Sequence, residues 1–154
     1  MKRKLSLLLL LLSTVLPLSA RGYIGLNQGL VGSAVEVGYM TRSFEQNLSL
    51  SLPLVHGNFT TPMASGNLVW RIQRFNPLVI GVGVGGRFSW GADDGYILAG
   101  GLLLSVSWET FGRGEVLFVE GSYMPFSIEG GSAIDALARH QIAQYLRIGY
   151  RHLF

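Results

Sequence analysis

Hydrophobic and polar residues alternate along most of the chain, with the period of two that is typical of β-strands. In the clearest stretch, Asn47–Val55, a leucine occupies every second position from Leu48 to Leu54. The alternation predicts eight strands, separated by turn-forming residues. They are Gly22–Gln28, Ser33–Met40, Asn47–Val55, Asn67–Phe75, Leu78–Trp90, Tyr96–Glu109, Glu115–Tyr123 and Ile142–Phe154.

Each predicted strand has one face of large apolar residues and one face of glycine, serine, alanine or charged residues. A soluble barrel turns its apolar face inward and needs many charged residues outside. Only 14% of the residues are charged, which is too few to solvate the outside of a sheet. We therefore expect an all-β fold, a closed eight-stranded antiparallel up-and-down transmembrane β-barrel with its apolar faces toward lipid. A soluble lipocalin-like barrel with the apolar faces inward is the alternative.

Aromatic residues support the membrane interpretation, because several lie near strand ends on the apolar face. They are Trp70, Trp90, Trp108, Tyr123 and Tyr150. Membrane barrels carry such aromatic girdles at the two interfaces between lipid and water.

The first twenty residues differ from the rest of the chain. The basic residues Lys2 to Lys4 precede an apolar run, and Ala20 supplies a small residue for cleavage, as in a secretory signal peptide. We therefore expect a signal peptide, residues 1–20, and a barrel domain, residues 21–154. Cleavage removes three of the twelve basic residues, which balances the remainder against nine acidic ones. Charge therefore does not indicate nucleic-acid binding, and the absence of cysteine excludes disulfides.

Gly81, Gly83 and Gly86 fit the spacing G-x-G-x-x-G of a dinucleotide-binding loop. Such a loop requires a helix after the third glycine, whereas the residues after Gly86 continue the strand alternation. We therefore expect Gly81, Gly83 and Gly85 to lie on the lumen face of one strand. There, the missing side chains make room for long residues from other strands.

The same alternation directs seven charged side chains into the lumen. They are Glu36, Arg71, Arg87, Glu109, Glu120, Arg147 and Arg151. Because buried charges are tolerable only when paired, we predict a plug of arginine–carboxylate pairs. We expect Glu36 and Glu120 nearest to Arg71, Arg87 and Arg147, and expect Glu109 and Arg151 near a wetter rim. A gated or narrow pore is the alternative to a closed plug.

The last predicted strand, IAQYLRIGYRHLF, carries Leu146, Ile148 and Tyr150 at alternate positions and ends in Phe154. With its export signal and alternating strands, the mature chain resembles small eight-stranded bacterial outer-membrane barrels of the OmpA/OmpX/OmpW type. The resemblance implies that these four residues form the recognition signal for the barrel-assembly machinery. It also implies that both termini face the periplasm and that the longest link, Met124–Gln141, faces outward.

Catalytic chemistry has little support in the sequence. A serine hydrolase needs a histidine beside the serine and a carboxylate that orients the histidine. Some small outer-membrane barrels modify lipid A with such a set, but no histidine here lies mid-strand beside a serine of matching parity. His56 near a serine of the outer rim, or His140 with Ser132 and Asp135, are the arrangements left open. We expect no enzyme activity, no cofactor and no metal site.

The leading hypothesis is a small, monomeric, integral outer-membrane protein with a structural or surface-interaction role. Its expected partners are outer-membrane lipid, the barrel-assembly machinery and an extracellular ligand at the outer links His56–Gly66 and Met124–Gln141, and no nucleic acid. A narrow channel for small or apolar solutes, as in the OmpW type, and a lipid A-modifying enzyme are the alternatives. The expected localisation is the bacterial outer membrane, after cleavage of the signal peptide.

Overall fold

The computed structural model describes residues 20–30, 32–51, 54–55, 58–59, 62–90, 95–109, 114–131, 142 and 146–154. Strands account for most of these residues. They are β1 (Arg21–Gly29), β2 (Ser33–Met40), β3 (Phe44–Ser51), β4 (Leu54–Val55), β5 (Asn58–Phe59), β6 (Met63–Phe75), β7 (Leu78–Trp90), β8 (Tyr96–Glu109), β9 (Glu115–Gly130) and β10 (Leu146–Leu153). Within the same ranges, no helix is long and apolar enough to cross a membrane.

Eight of the strands close into one antiparallel barrel in the order β1-β10-β9-β8-β7-β6-β3-β2. The short strands β4 and β5 pair only with each other, between β3 and β6. Each barrel strand therefore lies beside the barrel strand next to it along the chain, and β1 pairs with β10 to close the circle. The fold class predicted from the sequence, an all-β closed eight-stranded antiparallel up-and-down barrel, is confirmed.

The barrel has two ends that differ in the length of the links between strands. The terminal end contains Arg21, Phe154 and the links 41–43, 76–77 and 110–114. The opposite, loop end contains the links 30–32, 52–62, 91–95 and 131–145. The two longest of these links are therefore both at the loop end.

Paired residues can be followed around the whole barrel on its outer face. From Leu117 on β9 the pairing runs through Tyr150, Leu26, Val35, Leu50, Ala64, Phe88 and Leu98, and returns to β9 at Ile128. The circuit returns further along the same strand, so the strands are staggered, as closure of a tilted sheet requires. Apart from Ala64, every residue of the circuit is a large hydrophobic residue exposed on the barrel. The apolar face therefore points outward.

Strand β9 is longer than predicted, because it continues past Pro125 to Gly130 instead of ending at Tyr123. Its register with β8 shifts there, since Gly100 pairs with Phe126 whereas Leu102 pairs with Tyr123. This shift is a β-bulge, a place where a strand accepts a proline without losing its pairing. The first seven residues of the predicted outer link Met124–Gln141 are therefore strand.

Strand β3 begins earlier than predicted, at Phe44 instead of Asn47, and ends at Ser51 instead of Val55. The reason is a tight turn, in which the backbone N–H of Thr41 donates to the carbonyl of Phe44 at 2.7 Å. The hydroxyl of Thr41 accepts from the N–H of Phe44 at 3.0 Å. Two other strands start four residues away from the predicted position, since β6 starts at Met63 and not at Asn67, and β10 starts at Leu146 and not at Ile142.

Candidate functional site

The inside of the described barrel is rich in buried polar and charged side chains. Among the described residues, three arginines and three glutamates are buried, together with asparagines and serines. The charged ones are Glu36, Glu45, Arg87, Glu120, Arg147 and Arg151. Opposite charges are thus balanced in the interior, which is the condition under which buried charge is tolerable.

Arg151 is the centre of this interior and is fully buried. Its Nε lies 2.5 Å from Glu36 Oε1 and its Nη2 lies 2.9 Å from Glu45 Oε1. Gly25 pairs with both Glu36 and Arg151, so the ion pair passes over a residue without a side chain. A Cβ at Gly25 would lie 2.9 Å from Glu36 Cγ and 3.0 Å from Arg151 Cγ, which explains why glycine stands there.

Two aromatic rings enclose the guanidinium of Arg151. Its Cζ lies 3.6 Å from the centroid of Phe118 and 5.1 Å from that of Tyr23, both within the range of a cation–π contact. The Tyr23 hydroxyl donates to Glu45 Oε1 at 3.2 Å. We call Tyr23, Glu36, Glu45, Phe118 and Arg151 the central network, and all five of its members are 2% exposed or less.

Glycines on neighbouring strands accommodate the two rings. A Cβ at Gly149 would lie 2.5 Å from the ring of Phe118, and a Cβ at Gly38 would lie 2.7 Å from the ring of Tyr23.

The glycine column of β7 consists of Gly81, Gly83 and Gly85, and a Cβ at Gly81 would lie 2.6 Å from Val69. The column faces inward on β7, as expected, and no loop or helix is built on it.

A second ion pair joins the neighbouring strands β9 and β10 on the loop side of the central network. Arg147 pairs in register with Glu120, and its Nε donates to Glu120 Oε1 at 2.7 Å. Arg147 Nη1 lies 3.9 Å from Glu36 Oε2, which connects this pair to Arg151. Asn27 completes the connection by donating to Glu36 Oε2 at 3.0 Å.

Arg87 lies nearer the loop end, and two of its hydrogen bonds reach described residues. Its Nη1 donates to the backbone carbonyl of Ile142 at 2.6 Å, and its Nη2 donates to Ser122 Oγ at 2.6 Å. The Ile142 side chain is buried with Met63, Ile97 and Ala99 in a small apolar cluster. Arg87 therefore holds a residue of the link between β9 and β10 inside the barrel.

Arg71 lies at the terminal end and pairs with Glu109. Glu109 also lies 3.5 Å from Arg74, through Oε2 and Nη1, and is partly exposed. Arg71 Nη1 donates to the carbonyl of Thr41 at 2.6 Å, so its side chain is fixed against the turn between β2 and β3.

The pairing therefore differs in part from the arrangement predicted for the lumen. Arg147 does lie beside Glu120 and Glu36, but Arg71 pairs with Glu109 and not with a deeper carboxylate. Arg151 was expected near a wet rim, and the structure instead places it in the fully buried central network. The prediction was wrong because strand parity gives the face of a residue but not its height relative to residues on other strands.

Sequence reasoning missed Glu45 and Tyr23. Glu45 was assigned to a turn because β3 was predicted to begin at Asn47, although Glu45 has the parity of the inward-facing Asn47 and Ser49. Asn47 Nδ2 donates to Glu45 Oε1 at 3.1 Å. Extending the alternation backward by two residues would have found the second carboxylate partner of Arg151.

The predicted assembly-signal residues Leu146, Ile148 and Tyr150 all face outward and are exposed. Phe154 follows the last strand, and its backbone N–H donates to the carbonyl of Gly22 at 3.0 Å. Their recognition by an assembly machinery stays a prediction.

Potential catalytic residues are sparsely represented in the described part of the chain. His56, Ser132, Asp135 and His140 lie outside the described residues. His152 pairs in register with Glu115 at the terminal end. Among the described residues, no three His, Cys, Asp or Glu side chains come together as a metal site.

Comparisons with known proteins give no relative from which a role could be transferred. No family model, no curated protein and no solved structure is significantly similar to the chain. The barrel itself is therefore the guide to function, with its apolar outer surface and its buried ion pairs.

Proposed function

We propose that this protein is a small integral outer-membrane β-barrel with a structural or surface-interaction role and a closed lumen. The observation that carries the proposal is the apolar outer wall of the barrel. Among the outward-facing positions of the eight barrel strands, Glu115 at the terminal end is the one Asp, Glu, Lys or Arg. Exposure of such an apolar surface to water is unfavourable, whereas its contact with the hydrocarbon of a lipid bilayer is favourable.

Aromatic residues near both ends of the wall support this proposal. Phe44 packs edge to face with Trp70 near the terminal end, with ring centroids 6.2 Å apart. Near the loop end, Phe88 stacks on Trp90 at 5.6 Å and contacts Tyr96 at 6.3 Å. Aromatic residues in two such bands are typical of the girdles at membrane interfaces.

The placement of the wall in lipid can be tested with an arginine at its middle. Leu102 is exposed near the centre of β8, and Ser33 is exposed at the loop end. In lipid bilayers, we expect Leu102→Arg to destabilise the folded barrel by about 2–4 kcal/mol, and Ser33→Arg by about 1 kcal/mol or less. Equal effects of the two variants, together with folding of residues 21–154 in water without detergent, would show a soluble barrel instead.

Localisation and processing require a separate experiment on the full chain in a Gram-negative cell. We expect the protein in the outer-membrane fraction, with a gel mobility that changes on heating and an N-terminus at Arg21. Recovery in the soluble periplasmic fraction would contradict the proposal.

The central network supports a closed lumen, because its five side chains are buried inside the barrel. We expect no conductance steps from the protein in planar lipid bilayers. The double variant Y23A/R151A should produce them, whereas Arg87→Ala should have little effect because the central network stays in place. Steady conductance from the unmodified protein would favour the alternative function, a narrow channel for small or apolar solutes.

A surface-interaction role would depend on the longest links at the loop end, residues 52–62 and 131–145. Exchanging each link for a short glycine–serine turn and measuring attachment of cells to surfaces separates this role from a purely structural one. Lipid A modification is the remaining alternative, and mass spectrometry of lipid A with the protein and with its His56→Ala variant tests it.

A further inference from the structure

The terminal end of the barrel contains an open cavity of about 500 Å³. Its lining includes four arginines and two glutamates, together with buried apolar residues such as Met40 and Val116. The charged residues are Arg21, Arg42, Arg71, Arg74, Glu109 and Glu115. The volume is within the range of small-molecule sites, about 300–1,000 Å³.

The cavity has more cationic than anionic groups. Glu109 is shared by Arg71 and Arg74 and so neutralises only one of them. Arg21 and Arg42 form no ion pair within the described part of the chain. Arginines therefore outnumber glutamates among the described lining residues, four to two. Like charges gathered at a concave surface raise the local potential and attract an anion.

All the cationic groups that the described residues place around the cavity are guanidinium groups, and their chemistry indicates which anion the cavity would bind. A guanidinium presents paired N–H donors in a plane that fits two oxygens of a phosphate group. Arg71 is held in place by Thr41 and Glu109, at the inner part of the cavity, whereas Arg21 and Arg42 are exposed at its opening. One fixed and two free guanidinium groups around a cavity of this size suit a group with several oxygens better than a single halide ion.

We propose that the terminal cavity binds a phosphate group, with Arg21 and Arg42 as its principal ligands. The group belongs either to a small phosphate-bearing solute or to the headgroup of a lipid in the adjacent leaflet. The second source rests on the proposed membrane placement, which puts the terminal aromatic residues at headgroup level. The first source does not depend on it.

Titration calorimetry of the folded barrel in an uncharged detergent tests the proposal. The probes are inorganic phosphate and dihexanoylphosphatidic acid, with dihexanoylphosphatidylcholine as the lipid without net charge. We expect Arg42→Gln and Arg21→Gln each to weaken binding of a phosphate probe about fivefold, which corresponds to about 1 kcal/mol. Glu115→Gln removes a negative charge from the edge of the cavity and should strengthen binding.

Arg139→Gln is the matched control, because it removes the same charge from the link between β9 and β10. It should bind the probes as the unmodified protein does. Binding of both probes identifies the phosphate group itself as the ligand, and binding of phosphatidic acid alone identifies the lipid source. Failure of both probes to bind, or equal binding by the double variant R21Q/R42Q, overturns the proposal.

The gel mobility of each variant before and after heating shows whether it has folded. That control also separates this inference from the proposed function. A barrel can insert into membranes without binding phosphate, and it can bind phosphate in detergent without being an outer-membrane protein.

Discussion

The Nε of Arg151 lies 2.5 Å from Oε1 of Glu36, although the two residues are 115 positions apart in the chain. Both side chains are fully buried. They come from β10 and β2, the strands on either side of β1, and the bond spans β1 on the inner face of the barrel, over Gly25. The ion pair therefore connects the two ends of the sheet at the place where the barrel closes.

Removing Arg151 should strongly destabilise the barrel. Arg151→Met leaves Glu36 and Glu45 buried without their shared cation, and loss of one partner of a buried pair costs about 3–5 kcal/mol. Urea unfolding in detergent micelles, followed by tryptophan fluorescence, measures the change. Arg42→Met makes the same substitution at an exposed turn and should change stability by about 0.5 kcal/mol or less. Similar losses in the two variants would show that the central network does not hold the barrel closed.

Replacing a glycine by alanine should destabilise the barrel when the glycine lies on the inner face, but not when it lies on the outer face. Gly149→Ala brings a Cβ within 2.5 Å of the Phe118 ring and 2.7 Å of the Leu26 carbonyl oxygen, so the ring must leave Arg151. We expect a loss of about 1–3 kcal/mol. Gly86→Ala, on the outer face, meets nothing closer than 3.7 Å and should be near neutral. Urea unfolding compares the variants directly, and equal stabilities would contradict the packing described for Phe118.

Salt should weaken the ion pair of Glu109 at the terminal end of the barrel, but not the buried ion pair of Glu120 in its interior. Glu109 is partly exposed, so Glu109→Gln should cost about 1 kcal/mol or less, and the cost should fall in 1 M salt. Glu120 is 1% exposed and bonds to Arg147, so Glu120→Gln should cost about 1.5–3 kcal/mol at any salt concentration. A large salt effect on the Glu120 variant would mean that water reaches the Arg147 pair.

Arg87 should keep Ile142 inside the loop end. The chain has no cysteine, so an Ile142→Cys variant carries a single thiol for a membrane-impermeant maleimide. Adding Arg87→Met removes the donor to the Ile142 carbonyl, and we expect labelling to become about tenfold faster, which corresponds to about 1.4 kcal/mol. Ser33→Cys, exposed at the same end, is the control and should label quickly in both backgrounds. Unchanged labelling of the thiol at position 142 would show that other contacts hold this residue.

Much of the fold could be predicted from local pattern. The alternation around Leu48 and Leu50 predicts a strand with an apolar face, and the structure places both side chains on the outer wall. Strands β2, β7 and β8 have the predicted bounds. The end of β9 could not be predicted, because Pro125 is typical of a strand end and only pairing with β8 accommodates it as a bulge.

The identity of the residues in the lumen was also largely predictable, whereas their partners were not. Glu36, Glu120 and Arg147 were assigned to the lumen by parity alone, and parity is a property of one strand. Which carboxylate meets Arg151 depends on the stagger between β10, β1 and β2. The stagger between strands cannot be read from the alternation within any one of them.

The sequence by itself determined the number of barrel strands and the inward orientation of the seven charged residues predicted for the lumen, because a period of two is set by the backbone of a single strand. The tertiary structure decided that Glu36 and Glu45 meet at Arg151, that Phe118 and Tyr23 enclose its guanidinium, and that four arginines gather at the terminal cavity. Those relationships arise only when the staggered sheet closes, since closure alone sets the heights at which side chains of distant strands meet.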